Sequence, residues 1–209
     1  MNLIPHKTPK LLKWIYGDLL WEVNTTEKVV YLTFDDGPIP EVTPFVLETL
    51  RMFNAKATFF CVGENVVKHP DVFQQLIDDG HTVGNHTHNH VKGWEKKTAD
   101  YVENIMLCEK AIEKQSKKLF RPPYGRITRN QINVVKQDYT IVMWDVLSAD
   151  YEKSVSAESC LKNTLFHTKP GSIVLFHDHQ KTYEKIKFVL PRYLNEMSKR
   201  GFRFEALNL

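Results

Sequence analysis

Short apolar runs alternate with stretches of helical period along most of this chain, and that alternation limits the fold more than any other feature. Val29 to Phe34, Ala57 to Val62, His81 to Asn85, Leu119 to Arg121, Thr140 to Trp144, Ser172 to Phe176 and Phe202 to Ala206 read as strands, rich in β-branched and aromatic residues and bounded by Gly or Pro at several ends. Between them, Val42, Phe45, Val46, Leu50 and Phe53 recur at helical spacing. Asn65 to Asp79 reads as an amphipathic helix interrupted at His69-Pro70 and ended by Gly80. Thr98 to Lys117 reads as a long helix with Ile105, Leu107, Cys108, Ala111 and Ile112 on its apolar side. Thr128 to Gln137 and Ser156 to Thr168 follow, capped by Thr128 and Ser156, and a last helix spans Thr182 to Arg200, kinked or stepped at Pro191. About seven strands alternating with helices predict an α/β domain with a mostly parallel sheet. Periodicity leaves open whether that sheet closes into a barrel. Either way, functional groups gather at the C-terminal ends of the strands.

The 209 residues suit one domain or at most two small ones, and 42% hydrophobic with 25% charged residues is an ordinary globular balance. A net charge of +3 gives no argument for nucleic acid. Cys61, Cys108 and Cys160 are odd in number and far apart, so buried thiols are expected rather than disulfides or a thiolate metal site. Met1 to Glu22 lacks the continuous apolar core of a signal peptide, and no stretch is long enough to span a membrane. A cytoplasmic monomer is the expectation, with a secreted or periplasmic protein the alternative if a leader has been removed.

The strand ends hold most of the reactive chemistry. Asp35 and Asp36 follow the first strand and precede Gly37-Pro38. Asn85-His86-Thr87-His88-Asn89-His90 follows the third; Arg121-Pro122-Pro123-Tyr124-Gly125, Asp145 with Asp150-Tyr151, and His177-Asp178-His179 follow later ones. Five of the nine histidines fall at two of these ends. His86 and His90 are four apart, which on a turn of helix would place both imidazoles on one face, and a helical turn after Asn85 is expected. Adjacent strand residues point oppositely, so Asp35 and Asp36 are expected to do different jobs: one to ligate a metal with the two histidines, the other to take a proton from attacking water. His177, arriving from another strand, could protonate a leaving group. Taken alone, each of these could be a solvated polar turn.

In order, Thr33-Phe34-Asp35-Asp36-Gly37-Pro38, Gly84 through His90, Arg121-Pro122-Pro123-Tyr124-Gly125, Trp144-Asp145 through Asp150-Tyr151, and Leu175-Phe176-His177-Asp178 resemble the five motifs of the polysaccharide deacetylases, carbohydrate esterase family 4, the NodB-homology domain. The resemblance implies a distorted (β/α) barrel over residues 29–209 with residues 1–28 as an N-terminal extension. It implies a hydrolase of non-peptide amides, acting on N-acetylglucosamine-containing glycans such as chitin oligosaccharides or peptidoglycan. It implies a metal, usually zinc and sometimes cobalt or nickel, held by Asp36, His86 and His90. Asp35 is then the base, Arg121 its positioning partner, His177 the acid and Asp150 the acid's partner. Tyr124 supplies a backbone N–H to the oxyanion, Leu175 lines the acetyl pocket, and Tyr151 and Trp144 are candidate substrate contacts. Leu147 and Tyr151 depart from the family pattern, which often has Asp and Trp there. An O-acetyl xylan esterase and a carbohydrate-binding pseudoenzyme are alternatives on the same fold. His88 and His179 are expected outside the ligand set, and Trp94 is either a sugar platform or a loop anchor.

Overall fold

The computed structural model describes residues 5–112 and 118–208. Its central strand is β1 (Val29–Asp35), buried along almost its whole length. Strand geometry sends alternate side chains to opposite faces. Val30, Leu32 and Phe34 join the outer core with Val46, Leu47 and Leu50 of α2 (Val42–Met52) and Leu190 and Leu194 of α8 (Tyr183–Lys199). Phe34 stacks on Phe59 of β2 (Thr58–Cys61) and on Phe176 of β7 (Ile173–His177), with ring centroids 5.0 and 5.9 Å apart. The inward residues Thr33 and Asp35 are also buried, which a carboxylate tolerates only when it is paired.

The other strands are β3 (Thr82–Asn85), β4 (Leu119–Phe120), β5 (Thr140–Ile141), β6 (Val146–Leu147) and β8 (Arg203–Glu205). Their order is β5-β4-β3-β2-β1-β7-β6, with β8 pairing the first half of β1. Every strand pairing is parallel. The sheet curls, with α3 (Gly63–Lys68), α4 (Pro70–Asp78), α5 (Thr98–Ala111), α6 (Arg129–Val135) and α7 (Ala157–His167) joining α2 and α8 around it, as a distorted (β/α) barrel. Cys61, Cys108 and Cys160 are free and buried, as their spacing suggests. No helix among the described residues is long and apolar enough to cross a membrane.

Several local expectations hold and several change. Thr128 caps α6 reciprocally: its hydroxyl accepts from Gln131 N–H and its N–H donates to Gln131 Oε1. Ser156 caps α7 through Ser159 N–H. The helix pattern from Asn65 divides into α3 and α4 because Pro70 holds His69 at an extended φ of −132°. By contrast α8 runs through Pro191 as one helix, kept by a stripe of buried residues including Ile186, Leu190 and Leu194. Leu107 proves exposed rather than apolar-side, and residues 113–117 of the long helix expected to reach Lys117 lie outside the described residues. The run Thr140 to Trp144 pairs as a strand only at Thr140–Ile141, after which the chain crosses to β6.

That crossing is occupied by the N-terminal segment. Strands β5 and β6 are the two ends of the sheet. Leu20 docks beside β5, donating its N–H to Ile141 O and accepting from Met143 N–H at 2.9 and 2.7 Å. Lys7 bridges antiparallel to Val146 of β6, and Leu147 N–H donates to His6 O. Asp145, fully buried in the seam, pairs with Lys7 at 2.5 Å and with Lys13, and accepts from the Ser172 hydroxyl at 2.7 Å. Burial alone would raise the Asp145 carboxyl, but its contacts with Lys13, Lys7 and Ser172 outweigh it and hold the pKa at about 2. A short helix, α1 (Lys10–Ile15), lies between these two anchor points.

Candidate active site

Asp35 and Asp36 separate where β1 ends. Asp35 is the last strand residue and points inward; Asp36 follows at φ 87°, a left-handed conformation that turns its carboxylate away from the strand's alternation. The turn is held from several sides. Asn65 Nδ2 donates to Asp36 O at 2.7 Å and Val62 N–H donates to Gly37 O at 3.0 Å. Gly37 N–H donates to Asp178 Oδ1 at 3.0 Å, and the Thr43 hydroxyl donates to Asp178 Oδ2 at 2.6 Å. Position 37 must be glycine for this fit, since a Cβ there would lie 1.9 Å from Asp178 Oδ2. Burial pushes Asp178 up to about 8 although Thr43 and Gly37 both donate to it. Sequence assigns no role to Asn65, Thr43 or Asp178; the first two lie inside helix patterns and the third just past a strand, and none gives a local sign of what it reaches.

His86 and His90 converge, but not on a helix. The segment after Asn85 is an irregular loop with Thr87 at φ 61° and His90 at φ 52°, which corrects the expected helical turn. Asn85 Oδ1 accepts from Thr87 N–H and Asn104 Oδ1 accepts from His88 and Asn89 N–H, and these side chains shape the loop. His86 Nδ1 lies 2.8 Å from Arg121 O, an arrangement that puts the proton on Nδ1 and leaves the Nε2 lone pair free. Asp36, His86 and His90 bring one donor atom each within 4.8 Å of one another. Asp36 Oδ1 and His86 Nε2 are buried with no hydrogen-bond partner, and His90 Nε2, 3.1 Å from Asp36 Oδ1, is not aligned as a hydrogen bond. Burial pulls His86 down to about 4 against the charges of Asp35 and Asp36, so the imidazole is neutral. At Asp36 burial works upward, but His90, His177 and His86 outweigh it and keep the carboxyl well below its usual range. Two imidazole nitrogens and a carboxylate oxygen drawn within 4.8 Å of one another, with the Asp36 and His86 atoms orphaned, fit a divalent cation such as zinc. His88 and His179 stand outside this set.

Asp35 and His177 flank that point from neighbouring strands, paired in register across β1 and β7. Asp35 Oδ1 accepts from Arg121 at 2.7 Å, and its Oδ2 lies 3.7 Å from His86 Nε2. Arg121 is fully buried against the Phe60 ring, its guanidinium 4.2 Å from the centroid. It also donates to Thr33 Oγ1, Val142 O and Met143 O, so its orientation is fixed by the barrel wall. On the other side Asp150, also buried, holds His177 twice: Oδ1 at 2.7 Å from Nδ1, and Oδ2 accepting from the His177 backbone N–H at 2.7 Å. Burial would lower His177, but Asp150, then Asp36 and Asp35, raise it to about 9, so the imidazole is protonated at neutral pH. The pair sets the Asp35 carboxyl, held by Arg121, opposite an imidazolium held by Asp150.

The remaining expected residues surround this pair. Tyr124 sits at φ 60°, and among the described residues its N–H donates to no backbone carbonyl. Its ring tilts against His90, centroids 4.7 Å apart. Leu175, two residues before His177 on β7, is buried on the same face, and Leu147 is its register partner on β6. Tyr151, half-exposed, meets His177 edge-on at 5.1 Å. Trp144 packs near Arg121 and against Gly125 and forms a groove wall. Trp94 anchors its loop by donating Nε1–H to Ile127 O at 3.1 Å, while the residue as a whole stays 62% exposed. Asp145 is drawn into the N-terminal seam and takes no part in the site.

Residues 22–141 match the polysaccharide deacetylase family model. A peptidoglycan-N-acetylglucosamine deacetylase of Bacillus cereus is 35% identical over 196 residues, 92% of both chains. A chitooligosaccharide deacetylase of Azorhizobium caulinodans is 31% identical over 205 residues, covering 88% of this chain and 95% of its own. The crystal structure of a peptidoglycan N-acetylglucosamine deacetylase in complex with 4-naphthalen-1-yl-N-oxidanyl-benzamide superposes with a TM-score of 0.84 at 32% identity, covering 96% of this chain and 95% of that one.

Proposed function

The chain belongs to the polysaccharide deacetylase family, and from that premise we propose that it hydrolyses the acetamide of N-acetylglucosamine units in a glycan, with a divalent metal held by Asp36, His86 and His90. The observation that carries this reading is the placing of Asp35, held by Arg121, and His177, held by Asp150, in register on either side of the orphaned ligand atoms. A metal bound there supplies Lewis-acid polarisation of the acetyl carbonyl and lowers the pKa of the attacking water to about 7.

The chain's own groups do the rest. Asp35 takes the proton from the attacking water; Arg121 holds Oδ1, which leaves Oδ2, beside His86 Nε2, to receive it. The Tyr124 N–H is a donor for the charge that develops on the carbonyl oxygen. Leu175 offers an apolar wall to the acetyl methyl. His177 gives its Nε2 proton to the departing amine, and Asp150 holds the imidazolium upright and charged until then. An amine leaves poorly without a proton, so a protonated His177 suits an amide better than an ester requires.

Acetate release from chitooligosaccharides, peptidoglycan and acetylated xylan, each with and without chelator, tests the reading. Release from the first two that chelator abolishes and zinc restores is expected. Release from xylan alone, or from none with metal supplied, overturns it.

A further inference from the structure

Thr33 lies two residues before Asp35 on β1, so the two side chains share the inner face of the strand. Its hydroxyl is fully buried and used in both senses: it donates to Val174 O of β7 at 2.9 Å and accepts from Arg121 Nη1 at 2.8 Å. The same Nη1 donates to Asp35 Oδ1 at 2.7 Å. A single guanidinium nitrogen thus spans Thr33 and Asp35, with one hydrogen for each.

The rest of the guanidinium is drawn elsewhere. Nε donates to Val142 O at 3.2 Å and Nη2 to Met143 O at 2.7 Å. Arginine often meets a carboxylate as a two-pronged fork, with one donor on each oxygen. Here the contact with Asp35 is single, and among the described residues Oδ2 accepts no hydrogen bond. The Val174 carbonyl takes the Thr33 proton, which turns a hydroxyl lone pair toward Arg121. Without that hydroxyl the second Nη1 hydrogen would be stranded in a buried site. A stranded N–H turns to whatever acceptor the site still offers, here the free Oδ2 of the carboxylate it already touches.

Resting on the reading of Asp35 as the base, we propose that Thr33 is a positioning residue for the deacetylation. By taking the second Nη1 hydrogen it confines Arg121 to Oδ1 and keeps the Oδ2 lone pairs open for the proton of the attacking water. It acts through Arg121 and not on the substrate.

The test is acetate release by the zinc-loaded protein from chitooligosaccharides or peptidoglycan, whichever the wild type turns over, with kcat, KM and bound zinc measured for each variant. Thr33→Val should lower kcat by a factor on the order of 10–10² with KM and zinc content unchanged. Thr33→Ser, which restores the hydroxyl, should recover most of that loss. In an Asp35→Asn background, where the base is gone, Thr33→Val should cost nothing further. Thr58→Val is the structural control. Thr58 is the register partner of Thr33 on β2, and its hydroxyl, also buried, accepts from Leu207 N–H at 2.9 Å. That variant gives up a buried hydroxyl contact away from Arg121 and should hold kcat within about twofold. If Thr33→Val does not fold, Thr33→Ala removes the same hydroxyl and is read in the same way. A kcat for Thr33→Val within about twofold of the wild type, an equal loss in the Asp35→Asn background, no recovery in Thr33→Ser, or a matching loss in Thr58→Val overturns this inference alone. No acetate release from either substrate by the wild type overturns the deacetylase reading together with it.

Discussion

Asp150→Asn isolates what holds the acid in its protonated form. His177 stands at about 9 where an unperturbed imidazole stands at 6.5, and among the influences that raise it the Asp150 carboxylate comes first. The difference of about 2.5 pH units corresponds to about 3 kcal/mol in favour of the imidazolium, at 1.36 kcal/mol per unit. The substitution keeps an acceptor for His177 Nδ1 but removes the charge, and a bound cation at Asp36 offsets the carboxylates that remain. Burial then dominates, and the imidazole falls to 6.5 or below. At pH 8 the protonated fraction drops from nearly complete to roughly one in thirty. The assay is kcat for acetate release between pH 5.5 and 10. The basic limb of the variant should lie about two units below that of the wild type, with the two rates closest at pH 5.5. The linkage sign follows: a group whose folded pKa is raised contributes stability in full below 6.5 and loses it as pH rises through about 9. Melting temperatures of the metal-free wild type should therefore decline across that window more steeply than those of the variant. A basic limb within half a unit of the wild type would show that Asp150 does not hold the proton on His177, and the acid assignment would fall.

Asp35→Asn should retain its metal, measured by elemental analysis after dialysis, while acetate release falls by a factor on the order of 10²–10⁴; His86→Ala should lose the metal too. Asp178→Ala strands the Gly37 N–H and the Thr43 hydroxyl in a buried site, and urea denaturation should show a loss of about 2 kcal/mol with an unchanged slope. Asp145, held at about 2, contributes stability that is present above about 4 and lost as pH falls through about 2; Asp145→Asn should flatten urea stability across that range and speed hydrogen exchange at Leu20 and Met143, where the N-terminal segment pairs.

What could be read in the chain beforehand divides along physical lines. The strand β1 and the caps at Thr128 and Ser156 depend on neighbours in sequence, so their patterns announce them. The gathering of Asp36, His86 and His90 was also foreseeable, because parallel strands deliver their C-terminal ends to one side of a sheet. The route by which the histidines meet was not. Thr87 and His90 at positive φ are held by Asn85 and Asn104, and nothing in a spacing of four separates that loop from a helical turn. Asn65, Asp178 and Asp145 were opaque for a related reason: each meets partners fixed only by tertiary structure. The short extents of β5 and β6 depend on residues 6–23 lying in the seam between them, which no local pattern near Thr140 could show.

That seam also bears on the order in which the molecule assembles. Lys7 finds Asp145 across 138 residues of chain, and Leu20 takes its backbone partners from Ile141 and Met143. The segment before β1 therefore leaves the ribosome long before its binding place exists. Contacts of such separation come late, after the entropy of closing a long loop has been met by other pairings. Until then Asp145 is a carboxylate without its lysines and Trp21 an indole without its cover. A nascent chain of this protein passes through a stage in which most of the sheet can form while the seam between β5 and β6 is still open, so the wall built by the N-terminal segment is completed last.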